Sequence, residues 1–220
     1  MSTSTTHDAP PRDLPWHIVG RWQEFDGESR ANWLRVIAIA AFYVVELLNF
    51  HGLSAGPVEW PKLAGIDAAF HRSVTAIALA GAAVSLCVLL CLRNRIFPGW
   101  LKFVSTTGDL LLLTAFLLVG DGPRTPLVVA YFLIIALSTL RFSLTLVRFA
   151  TVGTLVGYLC VNGYVRWFGH ADLAVPRYHQ VLVLISLALT GIIAGQVIRS
   201  MKSMASEYAQ RVQAGSSSVT

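Results

Sequence analysis

Six apolar stretches of roughly 15 to 22 residues, set apart by short polar segments that hold nearly all the Lys and Arg, constrain this chain more than any motif in it. They run from about Trp33 to Phe50, Val74 to Leu92, Phe103 to Val119, Pro126 to Leu140, Leu146 to Val165 and Val181 to Ile198. Each approaches the ~20 residues a helix needs to cross a hydrocarbon core of ~30 Å. In lipid a single apolar segment can satisfy its backbone groups only as a helix. The expected fold is therefore all-α, an integral membrane six-helix bundle. With 55% hydrophobic and 13% charged residues among 220, six helices consume nearly the whole chain, so one membrane domain over 33–198 is expected.

The flanks read differently. Residues 1–13, rich in Ser, Thr and Pro, predict a disordered tail, and 14–32 form a juxtamembrane segment. There Leu14, Ile18, Trp22 and Phe25 recur at helical spacing with Arg21 and Glu24 between them, which fits either a short interfacial helix or an ordinary lead-in. No run within Met1 to Asn32 could serve as a signal h-region, so the first helix is the expected insertion signal. Residues 199–220 predict a cytoplasmic helical stub and flexible tail. Ile198, Met201, Ala205, Tyr208 and Val212 trace an a/d stripe there, the shape of a signalling stalk, although about two heptads also fit a frayed polar end.

Charge reports orientation rather than a nucleic-acid surface, because the basic residues sit singly or in small groups beside helix ends. Placing the N-terminus in the cytoplasm puts 12 of the 17 Lys and Arg inside and leaves Lys62, Arg72, Arg124, Arg166 and Arg177 outside. Both termini are then cytoplasmic, and no nucleic-acid partner is expected. Trp33, Trp60, Trp100 and Trp167 fall near span ends, where indole rings favour the headgroup layer. The connection Ser54 to Arg72 is the longest and is broken by Gly56-Pro57, Pro61 and Gly65, so a small extracytoplasmic cap is expected. Cys87, Cys91 and Cys160 lie within helices and offer no disulfide framework.

Ionisable side chains inside spans cost about 2.5–3.5 kcal/mol on insertion scales, so each needs a partner or a purpose. Glu46 lies about 16 Å along the first helix from Arg35 at ~1.5 Å per residue. Asp109 and Arg148 sit at similar depths on the third and fifth helices. Two arrangements satisfy them: an Asp109–Arg148 ion pair, or Asp109 bonded to Thr106, Thr107 or water while Arg148 snorkels outward. Glu46, Asn49, His51 and His71 gather near one end, with His170 and His179 expected on the same side. Those residues are either a ligand or pH site or ordinary interfacial histidines; no tight ligand spacing marks a metal, and no cofactor is expected. Gly153-x-x-x-Gly157 and Gly191-x-x-x-Gly195 permit close helix approach, within one bundle by default or along a homodimer seam through helix six. The chain has no nucleophile elbow, HExxH, phosphate loop or paired carboxylates on one helix face, and an enzyme is not expected.

Gly108-Asp109, Thr114, Gly120-Asp121-Gly122-Pro123-Arg124-Thr125-Pro126-Leu127, Tyr131-Phe132-Leu133 and Leu140-Arg141-Phe142 follow in order over some 60 residues. The pattern resembles the six-helix membrane input domains of bacterial sensor histidine kinases, such as the type IV pilus sensor kinase, and of some adenylate cyclases. There an Asp and a Thr in one helix precede a Gly-rich outer turn, and the next helix ends in a short basic inner turn. The resemblance implies a bacterial inner-membrane, receptor-like protein. It departs from the family in ending after helix six, which implies a module without an output domain that acts on a cytoplasmic signalling protein in trans. The rival expectation is a small transporter, or an accessory subunit of a larger membrane complex, with the buried charges along a path.

Overall fold

The computed structural model describes residues 14–55, 58–60, 68–94, 99–120, 122–168 and 174–217. The expected 1–13 tail, much of the 54–72 connection, His170, and the side chains of 14–24, 53–60, 209 and 212–217 lie outside the described residues.

Among the described residues five helices are long and apolar enough to cross a membrane, which supports a multi-pass membrane protein. They are α1 (Leu14–His51), α2 (Ala68–Arg93), α3 (Leu101–Val119), α5 (Leu144–Trp167) and α6 (Arg177–Ser217). The sixth apolar run, Pro126–Thr139, is shorter than the expected 126–140 span. It opens with a 3-10 segment, η2 (Pro126–Val129), and continues as α4 (Ala130–Thr139). At ~1.5–2 Å per residue it reaches little more than 20 Å, less than a bilayer core. Pro126 sits where a missing N–H costs nothing, at the first position of that run.

No break separates the expected juxtamembrane segment from the first span, because α1 is one helix of 38 residues. Gly52 stops it in the left-handed region, at φ 72°, with its N–H on the Leu48 carbonyl at 2.9 Å. The connection beyond contains an antiparallel ribbon of β1 (Leu53–Ala55) and β2 (Val58–Trp60), in which Ser54 faces Glu59.

Side-chain contacts fix the helix directions. Asn32 meets the Ser85 carbonyl while Tyr43 meets Thr75, so α1 and α2 are antiparallel. Arg35 meets Asp109 while Glu28 meets Ser105, so α1 and α3 run parallel. The core lies among α3, α4, α5 and α6, where Leu117, Tyr131, Ile135, Ala150, Val161 and Leu187 are buried. Outside it, Leu79, Leu111, Val152 and Ile192 each expose 60% or more, an apolar rim suited to lipid.

The four glycines pack inside this bundle. A Cβ on Gly153 would strike Leu110, one on Gly157 would lie 2.9 Å from the Tyr131 hydroxyl, and one on Gly191 would strike Thr151. Gly195 would meet Leu144 at 3.4 Å. These positions let α5 approach α3 and α4, and α6 approach α5.

Candidate functional site

Two ion pairs of opposite charge are sealed together where α1, α3 and the α4–α5 turn meet. On α1, Glu28, Asn32 and Arg35 are spaced by four and three residues, so they share one face with Gly27 and Ala31. That face is buried: Glu28 is 0% and Arg35 3% exposed. Gly27 makes the approach feasible, because a Cβ there would sit 2.5 Å from the Leu140 carbonyl oxygen.

Arg35 grips Asp109 with a bidentate fork, Nε to Oδ1 at 2.6 Å and Nη2 to Oδ2 at 2.8 Å. Its remaining Nη1 donates to Asn32 Oδ1 at 2.9 Å, and Asn32 Nδ2 donates to the Ser85 carbonyl on α2 at 3.2 Å. Arg141, folded inward from the turn after α4, pairs with Glu28. Its Nε lies 2.9 Å from Glu28 Oε2, a charge contact without hydrogen-bond alignment. Its Nη1 donates to Thr106 Oγ1 at 2.6 Å and to the Lys102 carbonyl at 3.0 Å, and its Nη2 donates to Ser105 Oγ at 2.9 Å. Ser105 in turn donates to Glu28 Oε1 at 3.2 Å. Burial lowers the Arg141 pKa and the Glu28 carboxylate opposes that, with smaller influences from Arg35 and Asp109. Two carboxylates and two guanidiniums cancel, so the cluster is neutral as a whole and nearly every donor is used.

Asp109 therefore does not pair with Arg148, correcting that sequence expectation. The buried face of α5 carries Val147, Ala150, Thr154 and Tyr158, whereas Arg148 lies on the exposed face with Val152. Arg148 lines a shallow groove against α6 beside Gly191, Gly195 and Arg199. Asp109 finds a guanidinium rather than Thr107, whose hydroxyl bonds the Phe103 carbonyl.

Glu28 and Asn32 escape sequence reasoning because they precede the apolar stretch, whereas Arg35, two residues inside it, and Arg141, just past the fourth stretch, read as orientation markers. One signal was available: Gly27, Glu28, Ala31, Asn32 and Arg35 form a small-and-polar stripe at helical spacing, unlike a lipid-facing pattern.

Arg35 and Asp109 also supply the charge in the wall of an apolar cleft of about 150 Å³ between α1, α2, α3 and α4, lined by Ile39, Phe42, Val74 and Leu133 among others. Thr114 on α3 and Tyr131 on α4 share a hydrogen bond of 2.9 Å.

At the opposite end, Glu46 is 7% exposed, with Oε1 3.5 Å from His71 Nδ1. Phe50 stacks on the His71 ring at 4.2 Å, and His51 stands edge-on to Phe50 at 4.8 Å. The structure thus brings Glu46, His51 and His71 together, with Asn49 on the same helix end. His179 does not join them: it lies exposed on α6 beside Tyr178, on a helix that packs against α4 and α5. Among the described residues no group of three His, Cys, Asp or Glu is placed to hold a metal ion. Comparison with protein-family models, curated proteins and solved structures finds no match to this chain.

Proposed function

We propose that this is a bacterial inner-membrane protein of signal-transduction type, with both termini cytoplasmic and no catalysis of its own. In this reading α6 passes a change in bundle packing to a cytoplasmic partner. One observation carries the reading. α6 continues unbroken for 41 residues, ~60 Å at 1.5 Å per residue, so it leaves the bundle as a rod. Every described side chain from Met201 to Tyr208 is exposed, including Met201, Met204 and Tyr208, whereas Ile198 just before them is buried.

The way α6 is held supports the same reading. Among the described residues, no α6 side chain makes a hydrogen bond or ion pair to another helix; Thr190 and Ser206 bond their own backbone. Its contacts are apolar side chains and the Gly191 and Gly195 approaches to α5. α1, α3 and the α4–α5 turn are cross-linked by directional bonds that have a single register. A helix held by packing alone can shift past such a frame in the manner of a shear motion.

The test places spin labels at Thr145 and Met204, after replacing the native cysteines, and measures their separation in lipid. Substituting Asp109→Asn or Arg141→Gln is expected to shift or broaden that distance. A distribution unchanged by both substitutions refutes the coupling. Solute flux in proteoliposomes abolished by the same substitutions favours transport instead. Reporter fusions at Met1 and Thr220 that light up on opposite sides refute the topology.

A further inference from the structure

Three arginines from three different elements line one hollow where α5 ends and α6 begins. Arg124 comes from a 3-10 turn, η1 (Gly122–Arg124), Arg166 from the last turn of α5, and Arg177 is the first residue of α6. The hollow measures about 470 Å³, and Val165, Pro176 and Gln180 complete much of its wall. Elsewhere in the molecule Arg30, Arg35 and Arg141 each face a carboxylate. Among the described residues, the three arginines of the hollow make no ion pair, and no carboxylate lines it. Asp121 and Asp172, near them in sequence, lie outside the described residues.

Like charges around a common space repel, and an anion between the three guanidiniums relieves that repulsion. Asn162, whose Nδ2 donates to the Tyr158 carbonyl at 2.7 Å, forms part of the wall. Trp167, Phe168 and Tyr178 stand exposed around the same helix ends, as aromatic residues do at headgroup depth.

We infer that this hollow binds a phosphate group, held by Arg124, Arg166 and Arg177. An anionic lipid headgroup or a soluble phosphate ester supplies that chemistry. The inference does not depend on α6 acting as a signalling rod.

The full chain in phosphatidylcholine nanodiscs is titrated with phosphatidylglycerol, with phosphatidic acid, or with soluble glycerophosphate, and Tm is followed by Trp fluorescence. Phosphatidylglycerol is expected to raise Tm. Arg124→Gln, Arg166→Gln and Arg177→Gln should each weaken its apparent affinity about 5- to 10-fold, the loss of one charge-assisted contact. Arg93→Gln, an exposed arginine at the far end of α2, should leave it unchanged. A Tm rise with glycerophosphate as well assigns a soluble source, and a rise with lipid alone assigns a headgroup. Absence of any shift, or Arg→Gln variants indistinguishable from Arg93→Gln, overturns the site.

Discussion

Replacing Arg35 by Leu removes one half of a buried pair and leaves three groups wanting. Both oxygens of Asp109 lose their donors, and Asn32 Oδ1 loses the Nη1 bond that orients it toward Ser85. Arg35 and Asp109 are 4% and 13% exposed at the side chain, so water replaces little of what is lost. Two unit charges ~4 Å apart at an effective dielectric of ~20 attract by about 4 kcal/mol, and deleting one member of a buried pair typically costs 3–5 kcal/mol. Arg35→Leu and Asp109→Leu are each expected to lose stability in that range. The double variant removes both charges and should lose less than the sum of the two single losses, by a coupling energy of about 2–3 kcal/mol. The assay is reversible unfolding in mixed micelles, run as a double-mutant cycle. A parallel cycle on Asp109 and Arg148 should be additive within about 0.5 kcal/mol, since Arg148 lies on the outer face of α5. Additive losses at Arg35 and Asp109, or equal coupling in the two cycles, refute the pairing.

Other substitutions test the packing around that pair. Gly27→Ala should cost about 1–3 kcal/mol, because its Cβ meets a backbone oxygen that no rotamer change can move; a Tm unchanged from wild type contradicts the α1 to turn contact. Gly122→Ala should be similarly damaging, since Gly122 has φ 61° and Val165 Cγ2 stands 3.0 Å from the added carbon. Phe142 carries a side chain at φ 48° in the turn that aims Arg141, so Phe142→Gly should raise stability by about 1 kcal/mol, and a loss on unfolding contradicts strain there. Tyr131→Phe should lose only about 0.5–1.5 kcal/mol, because Thr114 keeps its bond to the Leu110 carbonyl.

How much of this was legible depends on which physical signal each feature leaves in one dimension. Apolar length is local, so the apolar core of each helix stood out, as Leu101–Val119 does against an expected Phe103 start, whereas α1 begins at Leu14 and α6 runs on to Ser217, well past their apolar stretches. Pairing is not local. Arg35 and Asp109 are 74 residues apart, and nothing in their neighbourhoods says that α1 runs parallel beside α3 rather than α5 beside α3 at that depth. Short loops argued for Asp109 and Arg148 as neighbours, and α5 does pack on α3, but its rotation turns Arg148 away. Distance between helices was readable; azimuth was not. The Glu46 and His71 contact was legible for the opposite reason, because both flank a single connection between two antiparallel helices.

Azimuth also explains why the charges sit where they do. The exposed faces of α2, α3, α5 and α6 carry Leu, Ile and Val, and the polar stripe of α1 from Glu28 to Arg35 is buried instead of facing outward. A stripe of that kind in lipid has one low-energy orientation about the α1 axis, toward Ser85, Ser105, Thr106, Asp109 and Arg141, and several costly ones. Apolar side chains discriminate rotation poorly, since lipid and protein interiors are equally apolar. Fixing the register of α1, α3 and the α4–α5 turn with four charges and leaving α6 to glycines and apolar contacts therefore divides the bundle by the specificity of its bonds. Asp109→Asn, which keeps shape and removes one charge, probes that division: it should loosen α1 more than α6 in hydrogen exchange, while Gly191→Ala should do the reverse.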